Sequence, residues 1–236
     1  MTTLIPAKLA PGDTVGVIAP SDPVLPEFNG HLQEGQAVLE SLGFIVKFGN
    51  HIRGNFLGFA ARPQEKADDL HAMFKDPEVK AVICAQGGNT ANGPLHLLDW
   101  DLIRANPKVF LGLSDITVLL NAIHHQTGLI TFHGSDLLWS FGNDLPDYER
   151  GEFTRQLIRG EIGKIPANRE RRTIRSGKVS GKLLGGNLRC LLKLAGTPFW
   201  PDFTGAIFFV EAYEITPQAF ADRRSRANSR HSRWIH

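Results

Sequence analysis

The sequence holds two cysteines, Cys84 and Cys190, with neither a CxxC pair nor a metal-ligand spacing between them. A disulfide framework and a cysteine-built metal site are excluded as organising features. No stretch approaches the roughly 18 to 20 apolar residues needed to cross a bilayer, and residues 1–10 lack both a basic start and a continuous apolar run. The expectation is a cytoplasmic protein with no membrane partner. Charge of one sign is also scarce: 26 basic against 24 acidic residues leave a formal +2, too even to imply a nucleic-acid partner. The small excess sits at the end, where Arg223, Arg224, Arg226, Arg230 and Arg233 face a single acid, Asp222. An H-E-x-x-H pair is absent, and no G-x-G-x-x-G opens the first helical segment, so neither a metal nor a dinucleotide cofactor is expected.

What is present is ordinary globular material, 42% hydrophobic and 21% charged, punctuated by 24 glycines and 14 prolines. Short apolar runs at 15–19, 44–48, 79–85, 109–112 and 129–132 read as strands. Between them lie helical stripes: one through Leu32 and Leu39 that ends at Gly43, one opening at Pro63, pieces over 95–105, and a strongly apolar helix over 116–123. Strands alternating with helices call for a mainly parallel sheet, whose carboxyl edge is where such folds bind ligands. Residues 161–180 are polar, basic and without a period, and read as a linker. We expect an α/β domain over 1–160, a partial second domain over 181–221 with a helix at 188–195 and a strand at 206–210, and an atypical arginine-rich tail over 222–236.

Three positions carry the chemistry. Ser114 lies between the strand at 109–112 and the following helix, where a sharp turn can lift a hydroxyl clear of the sheet and helical N–H groups can stabilise an oxyanion. The full G-x-S-x-G pattern is missing, because Ile116 stands at its last position. The plainer alternative is that Ser114 or Asp115 simply caps the helix. Gln86, Gly87, Gly88 and Asn89 follow the preceding strand to the same edge, where they can supply the other half of an oxyanion hole or make a tight turn. Glu211 ends an apolar run, with Glu214 three residues on; a carboxylate there can orient a catalytic imidazole or merely be solvated. Of nine histidines, His124, His125 and His133 lie near the Ser114 helix and the last strand of the series, and each has a structural role as its default reading.

Taken together, these residues resemble the LD-carboxypeptidase family, serine peptidase family S66, including its branch that confers immunity to microcin C. The resemblance rests on seven segments in order: 12–21, 85–89, 112–117, 132–134, 184–188, 196–198 and 207–211. It implies a flavodoxin-like parallel-sheet N-terminal domain carrying the serine and a β-rich C-terminal domain carrying glutamate and histidine, the latter incomplete here. Residue by residue, Ser114 matches the nucleophile and Glu211 the acid that orients the histidine. Gly88 and Asp115 match the positions whose backbone N–H groups form the oxyanion hole. The implied activity is hydrolysis of an amide next to a D-amino acid in murein peptides by a homodimer. The immunity branch instead hydrolyses a peptidyl-nucleotide antibiotic.

The sequence departs from the family pattern at its end. The family histidine belongs well downstream of the glutamate, the resemblance fails after about Arg224, and neither His231 nor His236 sits in a matching segment. A premature end to the chain is therefore expected. The alternative to a serine carboxypeptidase is a catalytically inactive remnant that still binds peptide.

Overall fold

The computed structural model describes residues 2–58, 61–161, 163–213, 216, 218 and 219. Glu214, His231, His236 and the five arginines of the tail lie outside the described residues. Strand β1 (Thr14–Ile18) is followed by α1 (Asn29–Ser41), β2 (Ile45–Phe48), α2 (Pro63–Lys75) and β3 (Val79–Cys84). Then come α3 (Trp100–Ala105), β4 (Val109–Gly112), α4 (Thr117–Thr127) and β5 (Phe132–His133). The five strands are all parallel in the order β2-β1-β3-β4-β5, the flavodoxin-like order, whose sheet binds ligands outside the strands' carboxyl ends.

The sheet is covered on both faces because its strands are apolar on both. Along β3, Val82 and Cys84 join one core cluster with α2, α3 and α4, whereas Ala81 and Ile83 join the other with Leu32 and Leu39 of α1. Neighbouring residues thus face opposite sides, as the two-residue period of a strand requires. Helix α2 starts as its sequence dictates: Pro63 occupies the first turn, Glu65 accepts a hydrogen bond from the Arg62 amide at 2.8 Å, and the pattern stops at Asp76 before Pro77.

One expected element is shared differently. The run at 129–132 divides: Leu129 bridges to Leu4, with Leu4 N–H donating to Gly128 and Ile130 N–H donating to Leu4, while only Phe132 and His133 pair with β4. The N-terminal segment, not the main sheet, takes up the first half of that run.

Beyond β5, a π-helical turn (Leu137–Phe141) leads to α5 (Asp147–Phe153), which continues through a second π-helical turn (Thr154–Ile158). Most of residues 163–182 are irregular and exposed. A second, two-stranded parallel sheet then forms from β6 (Leu183–Asn187) and β7 (Ile207–Glu211), with α6 (Leu188–Leu191) and a 3-10 turn (Leu192–Leu194) between them. Leu184, Leu188, Leu191 and Leu194 belong to the same buried cluster as Phe110 and Ile116, so this unit packs on the α4 face of the main sheet. No described helix is long and apolar enough to cross a membrane.

Candidate active site

Strand β4 ends at Gly112, Leu113 continues extended, and Ser114 turns sharply with φ of +58° before a 3-10 turn (Ser114–Ile116) runs into α4. A left-handed non-glycine residue costs on the order of 1 to 3 kcal/mol, and such strain persists only where the surroundings impose it. Here it produces a sharp strand-turn-helix geometry, the kind that can lift a hydroxyl clear of the sheet. Capping does not account for the two residues: neither turn has a side-chain cap bond, and the Asp115 carboxylate is engaged elsewhere.

The Gly-rich loop lies directly against this turn. A side chain at Gly87 would set its Cβ 2.8 Å from Ser114 Cβ and 3.0 Å from Ser114 Oγ, so glycine is what allows the approach. Gly88 has φ of +141°, open to glycine and strained for other residues, and a Cβ there would fall 2.2 Å from the Asp22 carboxyl. The amides around it are occupied: Asp22 N–H donates to Gly87 O at 3.1 Å, Asn89 N–H to Asp22 Oδ1 at 3.2 Å, and Thr90 N–H to Ser21 Oγ at 3.2 Å. Gly88 N–H makes no hydrogen bond among the described residues, and in the Ser114 turn Ile116 N–H, one residue past Asp115, donates to Leu113 O at 3.1 Å. Of the two N–H groups expected to form an oxyanion hole, that of Asp115 lies 3.3 Å from where a Gly87 Cβ would stand, and that of Gly88 follows Gly87 directly in the chain.

Buried charge holds the arrangement. Asp115 is fully buried; its Oδ2 accepts from Ser21 Oγ at 2.6 Å and from Ala91 N–H at 2.9 Å, and its Oδ1 accepts from the Lys193 ammonium. Lys66, reaching in from α2, donates to Ser21 O at 3.0 Å and Thr90 Oγ1 at 2.7 Å, and burial pushes its ammonium down to about 8. Burial also raises the Asp22 carboxyl above its ordinary range, against the opposing pull of the Asn89 N–H. Opposite, the Trp139 indole N–H donates to Gln86 Oε1 at 3.0 Å, and Phe28 meets its ring edge-on at 5.1 Å.

Glu211 stands at the end of β7, paired in register with Asn187. That strand pair is tied to the start of α4: Asn187 N–H donates to Thr117 Oγ1 at 3.0 Å, and Asn121 Nδ2 donates to Gly185 O at 2.8 Å. Phe209, two residues before Glu211 and on the same face of the strand, meets the His133 ring edge-on at 5.4 Å. A Cβ on Gly186 would come within 3.0 Å of that ring. Burial lowers the basicity of His133, the Glu211 charge partly offsets this, and its Nε2 is buried without a partner among the described residues. Ser114, Gly88 and Asp115 therefore form one cluster and Glu211 sits beside His133; no hydrogen bond joins the two groups. His124 Nδ1–H donates to Leu129 O at 3.0 Å, a structural contact. No group of side chains among the described residues is arranged to hold a metal ion.

Sequence reading missed Ser21, Asp22, Lys66 and Lys193. The available signal was Lys193 itself, a cation inside the apolar segment 188–195, where an ammonium needs a partner.

Two family descriptions match the chain: the LD-carboxypeptidase N-terminal domain over residues 15–134 and the LD-carboxypeptidase C-terminal domain over 180–224. The chain belongs to the LD-carboxypeptidase family, S66. Among curated relatives of this LD-carboxypeptidase family member, a probable murein peptide carboxypeptidase of Bacillus subtilis (strain 168) is 39% identical over 213 residues, covering 90% of this chain and 66% of the relative. The microcin C7 self-immunity protein MccF of Escherichia coli is 31% identical over 236 residues, covering 88% and 69%. An MccF-like protein from Bacillus anthracis str. Ames superposes with a TM-score of 0.87 at 32% identity, covering 95% of this chain and 75% of that one. The chain spans about two thirds of the length of the curated relatives it matches.

Proposed function

We propose that this LD-carboxypeptidase family member is a serine amidase that hydrolyses an amide next to a D-amino acid in a murein peptide. Ser114 is the nucleophile, the N–H groups of Gly88 and Asp115 receive the oxyanion, and Glu211 is the acid that orients a histidine base. The observation that carries this reading is the strained Ser114 turn pressed against Gly87, whose Cβ position would also meet the Asp115 amide nitrogen at 3.3 Å. A serine hydroxyl is a weak nucleophile near neutral pH, so a base must take its proton as Oγ attacks the carbonyl carbon. The same base then returns the proton to the departing amine, and water repeats the sequence on the acyl-enzyme. Donors fixed in advance at the developing negative charge are worth about 10²- to 10³-fold in rate each. A small peptide ligand, a division into parts at the linker 161–180, and a homodimer belong to the same reading.

Release of terminal D-alanine from a murein tetrapeptide tests it, with Ser114→Ala as the control that must lose activity. A second reading, a chain that binds peptide without turnover, is favoured by one observation: no described histidine is hydrogen-bonded to Ser114. Calorimetry separates the two, since binding without hydrolysis supports the second reading and robust hydrolysis removes it. The relatives include both murein and microcin proteins, so a peptidyl-nucleotide conjugate is the competing substrate in the same assay.

A further inference from the structure

We infer that Lys193 is a positioning residue for the oxyanion site, a single ammonium from the 3-10 turn after α6 that holds the Gly-rich loop and the nucleophile turn together. Its Nζ donates to Asn89 O at 2.8 Å and to Asp115 Oδ1. Asn89 follows Gly88 directly, and Asp115 follows Ser114 directly, so the ammonium grips the residue next to each functional position. The inference rests on the reading of Gly88 and Asp115 as oxyanion donors.

The rest of the contact set explains why one cation matters. Asp115 carries a fully buried carboxylate that Ser21 and Ala91 satisfy only through neutral donors. Lys193 is the cation paired with it, and an ionised carboxylate taken out of water requires such a partner. On the loop side, the segment 89–91 presents its amides to Asp22, Ser21 and Asp115, but its Asn89 carbonyl to Lys193. Lys193 arrives from the unit built by β6, α6 and β7, whose leucines Leu188, Leu191 and Leu194 are buried against the main sheet. Docking of that unit therefore sets the relative placement of two N–H groups in the segments that follow β3 and β4. Glu211 comes from the same unit, so the acid and the clamp are delivered in one packing event.

The test is Lys193→Met in the full chain, read by amide hydrogen exchange and by tetrapeptide hydrolysis. Exchange in segments 86–91 and 113–117 is expected to accelerate about 10-fold or more, with α1 and β1 unchanged. Hydrolysis should lose about 10- to 100-fold in kcat with KM held within about 3-fold, because misplacement by an ångström is costly in the transition state. If the single variant does not fold, Asp115→Asn/Lys193→Met removes both charges and is read the same way by exchange. Uniform or absent acceleration, or a change confined to KM, overturns the inference. Ser114→Ala with undiminished turnover would overturn the serine mechanism instead, leaving the exchange result to decide Lys193 by itself.

Discussion

Asp136 supplies a pH dependence whose size follows from its surroundings. Its carboxylate is buried at the start of the π-helical turn after β5; Oδ1 accepts from Trp139 N–H at 2.8 Å and Ser140 N–H at 3.2 Å, while Oδ2 is buried with no partner among the described residues. Burial pushes its pKa up to about 6 from 3.8, in spite of the two N–H bonds. Between these values the folded chain binds the proton that the unfolded chain has released, so stability falls as pH rises through the window. The full penalty above about pH 6 is roughly 3 kcal/mol, and between about pH 4.5 and pH 7.5 the change is about 2 kcal/mol. Asp136→Asn keeps an acceptor for the two amides but cannot ionise. Urea unfolding of both proteins across that range is the assay, and the wild-type stability should fall relative to the variant by about 2 kcal/mol from the acid to the neutral end. A difference that stays flat, or one that grows in favour of the wild type, refutes the assignment of a buried, protonatable Asp136.

Two further outcomes follow from close packing at the same sheet edge. Gly88→Ala should cut tetrapeptide hydrolysis by about 10²- to 10³-fold, because the new Cβ displaces Asp22 and re-aims the Gly88 N–H; wild-type kinetics would remove Gly88 from the site. Cys84 and Cys190 are both buried, burial pushing the Cys84 thiol well up and the Cys190 thiol up to about 12, so neither should react with a thiol reagent in the folded protein at neutral pH, and both should react in urea. Rapid labelling of the native chain would contradict the packing at both positions.

Much of the main sheet was legible because each strand is a short apolar run closed by glycine, proline or a polar turn. The strand at 109–112 is found with those bounds, and α2 begins at the proline that announced it. The run at 129–132 was legible as apolar but not in its pairing, since hydrophobic pattern says nothing about whether Leu4 or β4 takes the other side. At the site, the turn at Ser114 and the glycines at 87 and 88 were visible because local backbone demands leave local residue signatures. The polar network was not: Ser21 and Asp115 are 94 positions apart, and Lys193 and Asp115 are 78 apart. Contacts between single polar side chains at that separation have no period to detect. The positive φ that separates a nucleophile turn from an ordinary helix cap likewise cannot be read from residue type, because serine serves both.

Ser114 is the residue on which hydrolysis by this protein depends in the serine mechanism. Purified protein incubated with a murein tetrapeptide, with release of terminal D-alanine followed by mass spectrometry, tests it most directly. The serine mechanism predicts release by the wild type and none by Ser114→Ala of equal thermal stability; equal release by that variant would contradict it.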